Sequence, residues 1–473
     1  MREIVTALAD HAKTMPEALA VVDVSVAGSV NGLGGSVNGL GRLSFKELAG
    51  RVAYLAKSLQ KSPETIAIFA PNCALWVIAD LALAVAGKTM VPLPTFFSPE
   101  QLSHILQDSK VDLILTVASL EDQAKALGRP CRVLSETDDT RLPLPDDLSA
   151  ADKSGRIIYT SGTTGTPKGV RIGSRQISAS AQGLVAASGA TKEDRYLSVL
   201  PFSLLLEQIA AICVPLIAGA PLYIEASAAA AATQGDIKPL VQAYQTHQPT
   251  ASVLVPSLLS AWVQGLLAMR LEAPESLRFV AVGGAPVSPA LADTAWALGI
   301  PVHEGYGLSE CCSVVSVNRP GARKPGTVGL PLDGTHISIV DGEIVIKGPT
   351  VMDGYLGREN LDGQVWHTGD LGEITEHGEV RIFGRKDKLI VTQNGRNINP
   401  EWIETLAQDA PGVVMAKLTL TPEQDLVLNV THVPGIEIED LPNTVRAALS
   451  GAPDYAQPTQ ITLTNMTSLR TAP

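Results

Sequence analysis

The stretch that decides the fold of this chain is Tyr159-Thr160-Ser161-Gly162-Thr163-Thr164-Gly165-Thr166-Pro167-Lys168-Gly169-Val170. It begins at the end of Arg156–Thr160, whose composition predicts a short buried strand. Glycines allow backbone N–H groups to approach an anion closely, hydroxyl side chains add donors, and Lys168 adds a compact positive charge. The stretch therefore predicts a loop that binds a polyphosphate. It is not a Walker A loop, because Gly169 follows the lysine where that motif needs serine or threonine.

Composition limits the classes of protein to which the chain can belong. Its 473 residues are enough for at least two domains, and 45% hydrophobic and 18% charged residues are ordinary for a globular protein. A net charge of −12 argues against a nucleic-acid partner. Five cysteines without CxxC spacing and no signal-peptide pattern predict a cytoplasmic protein. We expect no transmembrane segment, because the longest apolar run, Ile209–Ile224, is short and contains prolines. Peripheral contact with a membrane stays open.

Strands and helices alternate from Thr65 to Glu304, which predicts a mainly parallel sheet covered by helices. The predicted strands are Thr65–Ala70, Asp112–Val117, Tyr196–Leu200, Leu222–Glu225, Ser252–Val255, Phe279–Val282 and Val302–Glu304. The predicted helices are Cys73–Val85, Ser174–Ser188 with a serine cap, Leu205–Ala218, Ile237–His247, Pro256–Met269 and Pro289–Leu298. Ligands of such sheets bind at the carboxyl ends of strands, so the loop after Thr160 and two later motifs are expected to share one crevice.

The pattern becomes antiparallel after Gly329. His336–Val340 and Glu343–Lys347 flank Asp341-Gly342, a strong hairpin signal, and a smaller unit of helices and strands begins after Gly384. We therefore predict an α/β fold with a large N-terminal domain, residues 1–385, that combines helix-covered, mainly parallel sheets with a β-rich subdomain. A small α+β C-terminal domain, residues 386–473, is predicted to follow it.

A second motif is Val302-His303-Glu304-Gly305-Tyr306-Gly307-Leu308-Ser309-Glu310. Glycines on both sides of Tyr306 allow its ring to lie flat against a planar ligand, and Glu310 offers hard oxygen ligands for Mg²⁺. Taken alone, the motif fits an ordinary strand-to-loop turn equally well.

A third motif, Trp366-His367-Thr368-Gly369-Asp370-Leu371-Gly372, precedes Phe383-Gly384-Arg385-Lys386-Asp387. One carboxylate can accept hydrogen bonds from both hydroxyls of a ribose, which makes Asp370 a candidate ligand. A simple turn is the alternative for an isolated Thr-Gly-Asp sequence.

The order of these motifs resembles that of the acyl-adenylate-forming superfamily, which comprises acyl-CoA synthetases, luciferases and peptide-synthetase adenylation domains. The pattern is nearest to fatty acyl-CoA synthetases. The resemblance implies that the first loop binds the phosphates of ATP, that Tyr306 stacks on adenine, that Glu310 binds Mg²⁺ and that Asp370 binds the ribose. It also implies that Arg385 is a second ribose or phosphate contact. The resemblance also implies that Asp387 is the hinge residue on which the small domain swings between two half-reactions.

The resemblance further implies which residues act on the nucleotide and on coenzyme A. The implied catalytic residues are Lys168, Glu310 and Thr164, of which Glu310 is also the metal ligand. The implied binding residues are Thr160, Ser161, Gly162, Thr163, Thr164, Gly165, Lys168, Gly284, Ala285, Pro286, Glu304, Gly305, Tyr306, Gly307, Ser309, Asp370, Arg385 and Gly395. Gly395 is included because family members that use coenzyme A have a loop of small residues there, and its backbone lines the pantetheine tunnel. The same stretch also predicts a helix start, with Asn399 as N-cap and Pro400 at the first helical position.

The acyl pocket is defined less sharply. Leu200–Glu207 resembles the family stretch that often carries a histidine or an aromatic residue where this chain has Leu204. The apolar run from Leu204 suits an aliphatic acyl chain, and a plain helix core is an equally good interpretation.

The resemblance implies an acid–thiol ligase that joins ATP and a carboxylic acid, of medium or long chain, into acyl-AMP and pyrophosphate, and then forms a coenzyme A thioester. Alternatives are transfer to an acyl carrier protein or an amine, or a weakly catalytic protein that binds a nucleotide or acyl-AMP. Family members end with a lysine that contacts the carboxylate and α-phosphate. The sequence stops at Pro473 before such a lysine, so we expect slow adenylation from a truncated small domain.

Overall fold

Two large sheets form the frame of the protein in a computed structural model. The model describes residues 1–24, 40–135, 142–160, 167–233, 236–361, 365–392, 396–432 and 439–465. The α-helices are α1 (Arg2–Thr14), α2 (Phe45–Leu59), α3 (Ala74–Val85), α4 (Pro99–Asp108), α5 (Glu121–Ala126), α6 (Ser174–Ser188), α7 (Leu205–Glu207), α8 (Val214–Ala218), α9 (Ala226–Thr233), α10 (Lys238–His247), α11 (Pro256–Met269), α12 (Pro289–Ala297), α13 (Pro400–Ala407) and α14 (Leu441–Ala448).

The strands of the two sheets and of the smaller units follow in chain order. They are β1 (Leu19–Asp23), β2 (Arg42–Ser44), β3 (Thr65–Phe69), β4 (Thr89–Pro92), β5 (Leu113–Thr116), β6 (Cys131–Val133), β7 (Gly155–Thr160), β8 (Lys168–Gly173), β9 (Tyr196–Ser198), β10 (Leu222–Ile224), β11 (Ala251–Leu254), β12 (Phe279–Val282), β13 (Val302–Tyr306), β14 (Ser316–Val317), β15 (Leu330–Pro331), β16 (His336–Val340), β17 (Glu343–Lys347), β18 (Gly354–Tyr355), β19 (Val365–Ile374), β20 (Val380–Arg385), β21 (Ile390–Val391), β22 (Asn397–Ile398), β23 (Val413–Leu420), β24 (Leu426–His432) and β25 (Gln460–Asn465).

The first sheet has the order β15-β14-β13-β12-β11-β9-β10-β1-β2, and the second has the order β18-β8-β7-β4-β3-β5-β6. Their central strands run parallel, and antiparallel pairs occur toward the ends, as predicted from the alternating pattern. An antiparallel sheet, β16-β17-β19-β20, forms the β-rich subdomain. Its hairpin turns at Asp341 and Gly342, whose φ values of 50° and 79° are those of the predicted turn.

The large sheets are held by a hydrophobic core that includes helix α3. Each of the twelve residues of α3 is buried, which explains why its sequence is apolar on all sides. The chain after Ile398 packs around a core of its own, in which α13, α14 and the sheet β23-β24-β25 take part. In the part of the chain that the structure describes, no helix combines the length and apolar character needed to cross a bilayer.

Two local predictions are wrong. Helix α6 has Gly173 as its N-cap, because Gly173 N–H donates to the Gln176 side chain (3.1 Å) and the Ser174 hydroxyl instead accepts from the Met1 nitrogen (2.6 Å). Lys168 does not lie in the predicted loop but begins β8, where it pairs with Thr160. The helix predicted over Leu205–Ala218 is present with those bounds, and its middle, Gln208–Cys213, is π-helical.

Candidate active site

The carboxyl ends of β12 and β13 bring two predicted motifs together. Gly284 follows β12 with φ +87°, a left-handed conformation that glycine adopts without strain, while Ala285 and Pro286 are exposed. After β13, a Cβ on Gly307 would lie 1.5 Å from the carbonyl oxygen of Ser313, so only glycine fits. The chain therefore turns tightly at both places and leaves an open edge at the end of the sheet.

Tyr306 and Asp370 meet at this edge. The Tyr306 hydroxyl donates to Asp370 Oδ2 (2.5 Å), and the Tyr306 side chain packs against the buried cluster of the β-rich subdomain. Burial raises the pKa of Asp370, and the hydrogen bond from Tyr306 and the nearby Arg385 charge oppose that rise. The pKa of Tyr306 is raised by burial and by Asp370. The two motifs thus form one site, with a carboxylate held by donors on both oxygens.

Arg385 is the second donor to this carboxylate. It pairs across β19 and β20 with Asp370, and its guanidinium lies 3.3 Å from Asp370 Oδ1 and 2.9 Å from the carbonyl oxygen of Thr368. A second carboxylate, Asp387, accepts from Arg385 Nε (3.0 Å). A Cβ on Gly369 would lie 3.1 Å from the guanidinium, so glycine makes room for it. The hinge residue of the sequence prediction is therefore in direct contact with the proposed ribose-binding pair.

A second cluster contains Glu310, Lys168 and a residue that the sequence analysis missed, Tyr355. The Tyr355 hydroxyl donates to Glu310 Oε1 (2.8 Å), and Lys168 Nζ lies over the Tyr355 ring, 5.8 Å from its centroid. Glu310 lies in a 3₁₀ turn, Ser309–Cys311, directly after β13. Its backbone carbonyl accepts from Met352 N–H (2.8 Å). Tyr355 thus links Lys168 of the first motif to Glu310 of the second. It lies on β18, a two-residue strand too short to show a pattern in the sequence.

Helix α4 contacts both flanks of the predicted phosphate loop. His104 Nε2 lies 3.3 Å from the carbonyl oxygen of Pro167, and one helical turn later Asp108 Oδ2 accepts from the Tyr159 hydroxyl (2.7 Å). Tyr159 precedes the predicted loop and Pro167 follows it, so α4 packs beside both of its ends. These contacts have no signal in the sequence, because His104 and Asp108 lie in an amphipathic helix of ordinary composition.

The remaining predicted site residues are placed as follows. Thr160 ends β7, and Glu304 and Gly305 lie on β13, with Glu304 9% exposed. Burial raises the pKa of Glu304 to about 7, which Arg323 opposes. Ser161, Gly162, Thr163, Thr164, Gly165 and Gly395 lie outside the described residues, so their roles stay predictions.

The apolar run after Pro201 is divided between core and surface. Leu204 is 38% exposed, whereas Leu205 and Ile209 are buried in the main core. Asn72 fixes the loop before the run by donating to the carbonyl oxygen of Leu200 (2.6 Å) and accepting from Phe202 N–H (2.7 Å). The helix-core interpretation therefore holds for most of the run, and Leu204 is the exposed residue at its start.

Glu207, within the same run, is a fully buried carboxyl group. It accepts hydrogen bonds from Ser198 (2.5 Å) and Tyr196 (3.4 Å), yet burial outweighs them and raises its pKa from 4.5 to about 8. The folded protein therefore holds this proton more tightly than the unfolded chain does. Its contribution to stability is greatest at low pH and is lost as the pH rises from the unfolded value toward the folded one.

Replacing Glu207 by glutamine removes this titration. We expect the free energy of unfolding of the variant, relative to the parent protein, to increase by about 2–3 kcal/mol between about pH 5.5 and pH 8. Urea unfolding at a series of pH values measures the difference, with the exposed Glu423→Gln as control. Parallel pH profiles for Glu207→Gln and the parent protein would show that this carboxyl group does not titrate in that range.

Comparison with known proteins places this arrangement in a family. Residues 8–356 match the model of the family described as AMP-binding enzyme. The chain is 26% identical over 471 residues to long-chain-fatty-acid–CoA ligase 6 of Mus musculus, with 77% of the chain and 65% of that protein covered. It is 29% identical over 390 residues to 2-succinylbenzoate–CoA ligase of Bacillus velezensis, with 78% and 77% covered. The chain thus covers less than two thirds of the mouse protein.

Solved structures show the same fold. The structure of O-succinylbenzoate coenzyme A synthetase from Bacillus subtilis in complex with AMP superposes with a TM-score of 0.77 at 24% identity, covering 97% of this chain and 94% of the other. The predicted α/β architecture is therefore confirmed. Because the family model matches well over half of the sequence, including the flanks of the phosphate loop and the Tyr306 motif, the chain belongs to the AMP-binding enzyme family.

Proposed function

We propose that this protein is an AMP-forming acid–thiol ligase. It would convert a carboxylic acid and ATP into acyl-AMP and pyrophosphate, and then transfer the acyl group to coenzyme A. The observation that carries the proposal is the pair of adjoining clusters, Tyr306–Asp370–Arg385 and Lys168–Tyr355–Glu310, at the strand-end edge of one family fold. The first cluster suits a nucleoside and the second suits its phosphates.

The nucleoside half of the site follows from the chemistry of Asp370. Its two oxygens accept from Tyr306 and Arg385, and ribose hydroxyls are donors of the same kind, so a nucleotide can exchange places with these partners without leaving the carboxylate unpaired. Exchange would free the Tyr306 ring to stack on the base, beside the turn at Gly284. The exposed positions of Ala285 and Pro286 in that turn support contact with a ligand.

The phosphate half must neutralise charge, because a carboxylate attacks a phosphorus that carries negative oxygens. Lys168 would offset the charge of the β- and γ-phosphates, and the fixed geometry of β8 would hold it there at no further cost of reorganisation. Tyr159 and Pro167, braced by α4, would set the width of the loop between them. These residues act on binding and orientation, which is where most catalysis of phosphoryl-group chemistry arises.

Magnesium fits this half of the site. In the described ranges, no cluster of three or more histidine, cysteine or acidic residues forms a closed metal cage. A protein site for Mg²⁺ with one carboxylate plus substrate phosphates needs no such cage, and Glu310 offers hard carboxylate oxygens at the right edge. Glu310 would hold the ion, which supplies charge neutralisation on the polyphosphate when bound.

Coenzyme A would be used in a second half-reaction, for which we propose that residues 386–473 move as a unit about Asp387. The separate hydrophobic core of this unit supports the boundary. Polar groups connect it to the rest of the chain, as where Asn399 donates to the carbonyl oxygen of Phe383 (2.5 Å). We also propose that Gly395 contacts the pantetheine arm. Thioester formation with coenzyme A or with a carrier protein, measured in the same assay, identifies the acceptor.

The acid is proposed to be aliphatic, of medium or long chain. The exposed Leu204 at the start of the apolar run and the similarity to a long-chain-fatty-acid ligase support this choice. The five cysteines are all free, which supports a reducing compartment such as the cytoplasm. A panel of carboxylic acids assayed for pyrophosphate release, with and without coenzyme A, tests the proposal. If none of the acids in the panel supports pyrophosphate release, the proposal is contradicted.

Chain length should govern the rate with which acids are used. Each methylene buried in an apolar pocket contributes about 0.8 kcal/mol, so kcat/KM is expected to rise about fourfold per methylene until the pocket is filled. Competition between acids of increasing length, from acetate to decanoate, measures the series. Equal turnover of acetate and decanoate would contradict an aliphatic pocket and favour an aromatic or charged acid.

A further inference from the structure

Tyr355 connects two charged residues that belong to different elements. Its hydroxyl donates to Glu310 Oε1 (2.8 Å), and its ring is 5.8 Å from Lys168 Nζ, a distance at which a cation is attracted to the π-face. Lys168 and Glu310 make no direct ion pair with each other in the described part of the chain. Contact through Tyr355 therefore leaves both charged groups able to face a ligand.

The backbone around Tyr355 is fixed from both sides. Tyr355 pairs with Val170 of β8, and the next residue, Leu356, donates from its N–H to the carbonyl oxygen of Gly169 (2.7 Å). On the other side, Met352 N–H donates to the backbone carbonyl of Glu310 (2.8 Å). The segment therefore ties the strand that carries Lys168 to the turn that carries Glu310, and changes in one are transmitted to the other.

The side chain is equally well defined. The Trp366 ring packs against Tyr355 edge-on, with centroids 6.0 Å apart, and the Arg358 guanidinium lies 5.8 Å from the Tyr355 centroid. A phenol whose ring is held by these contacts, and whose hydroxyl donates to Glu310, is suited to orienting a carboxylate.

We propose that Tyr355 is a positioning residue that aims the Glu310 carboxylate and the Lys168 ammonium at one magnesium–polyphosphate ligand. This inference rests on the proposed function for the identity of that ligand. Tyr355 would not contact the reacting atoms and would act only through Glu310 and Lys168. Its loss should therefore affect ligands that carry the β- and γ-phosphates and spare those that end at the α-phosphate.

Tyr355→Phe tests the inference, because it removes the hydroxyl and keeps the ring. Calorimetry would measure the affinity for ATP with and without Mg²⁺, and the affinity for AMP. We expect the gain in ATP affinity due to Mg²⁺ to fall about tenfold, as for loss of one hydrogen bond to a charged group, with AMP affinity unchanged. The rate of pyrophosphate release at saturating ATP should fall by a similar factor. Tyr355→Leu, which also removes the ring beside Lys168, should weaken ATP binding a further two- to fivefold, roughly.

Tyr223→Phe is the matched control, since Tyr223 lies on β10 of the other large sheet and packs on His247. It should leave every one of these values unchanged. An unchanged Mg²⁺ effect in Tyr355→Phe, or an equal loss of AMP affinity, would overturn the inference and make the residue merely structural. If the parent protein binds Mg–ATP but releases no pyrophosphate with any acid, the proposed function fails while the binding comparison still decides the role of Tyr355. If it binds no ATP at all, both fail.

Discussion

Lys168→Met is expected to lower the rate of acid-dependent pyrophosphate release by about a hundredfold to a thousandfold, the usual cost of losing one preorganised charge contact in a transition state. The physical reason is the meeting of a carboxylate with a negatively charged phosphoryl group at the proposed site. Lys168 is held by β-pairing with Thr160 and by the Tyr355 ring, so the charge is in position before the reaction begins. Methionine fills similar space and removes the charge alone.

The lysine variant should keep its affinity for AMP, because Tyr306 and Asp370 are untouched. Quenched time-point assays measure the rate of pyrophosphate release, and calorimetry measures the affinity for AMP. Lys192→Met removes an exposed lysine and the same formal charge, which makes it the control for net charge. A Lys168→Met rate within threefold of the parent rate would remove Lys168 from the proposed mechanism.

Asp370→Ala should weaken the binding of AMP and ATP by the same factor, about ten- to a hundredfold. Both nucleotides carry the ribose, and its hydroxyls would lose a charged acceptor worth about 1.5–3 kcal/mol. The substitution also leaves Tyr306 and Arg385 without their shared partner, so the free site becomes less ordered. Equal losses for AMP and ATP distinguish this residue from Lys168, whose loss should be felt in the phosphate chemistry.

Glu373→Gln is the control for Asp370, because Glu373 lies on the same strand and forms a half-exposed ion pair with Arg381. It should bind both nucleotides as the parent protein does. Calorimetry at matched ionic strength measures the affinities, and circular dichroism checks that the variants are folded. Unchanged affinity in Asp370→Ala would mean that the nucleoside binds elsewhere.

The sequence predicted the elements whose bounds are set by residues close together in the chain. The hairpin at Asp341-Gly342 and helix α11 have the predicted bounds, because turn residues and a proline at a helix start act within a few residues. The Tyr306 and Asp370 motifs were recognised by residue order, and the structure brings them into contact.

What the sequence did not predict depends on distant contacts. Strand β8 was missed because β-pairing with β7 across the phosphate loop, rather than a run of strand-forming residues, defines it. Tyr355 was missed because a two-residue strand has no period to detect, and its role comes from Glu310, 45 residues away in the chain. The π-helical segment within the predicted Leu205–Ala218 helix has no signal in the sequence either, since the apolar pattern there fits a regular helix.

The most direct test of the account is acid-dependent exchange of labelled pyrophosphate into ATP. Exchange requires that acyl-AMP and pyrophosphate form reversibly on the protein, and it does not depend on coenzyme A. We expect exchange that requires both Mg²⁺ and an aliphatic acid, and that is lost in Lys168→Met. Failure of every acid to support exchange, by a protein that is folded and binds ATP, would contradict the central claim that this chain forms acyl adenylates.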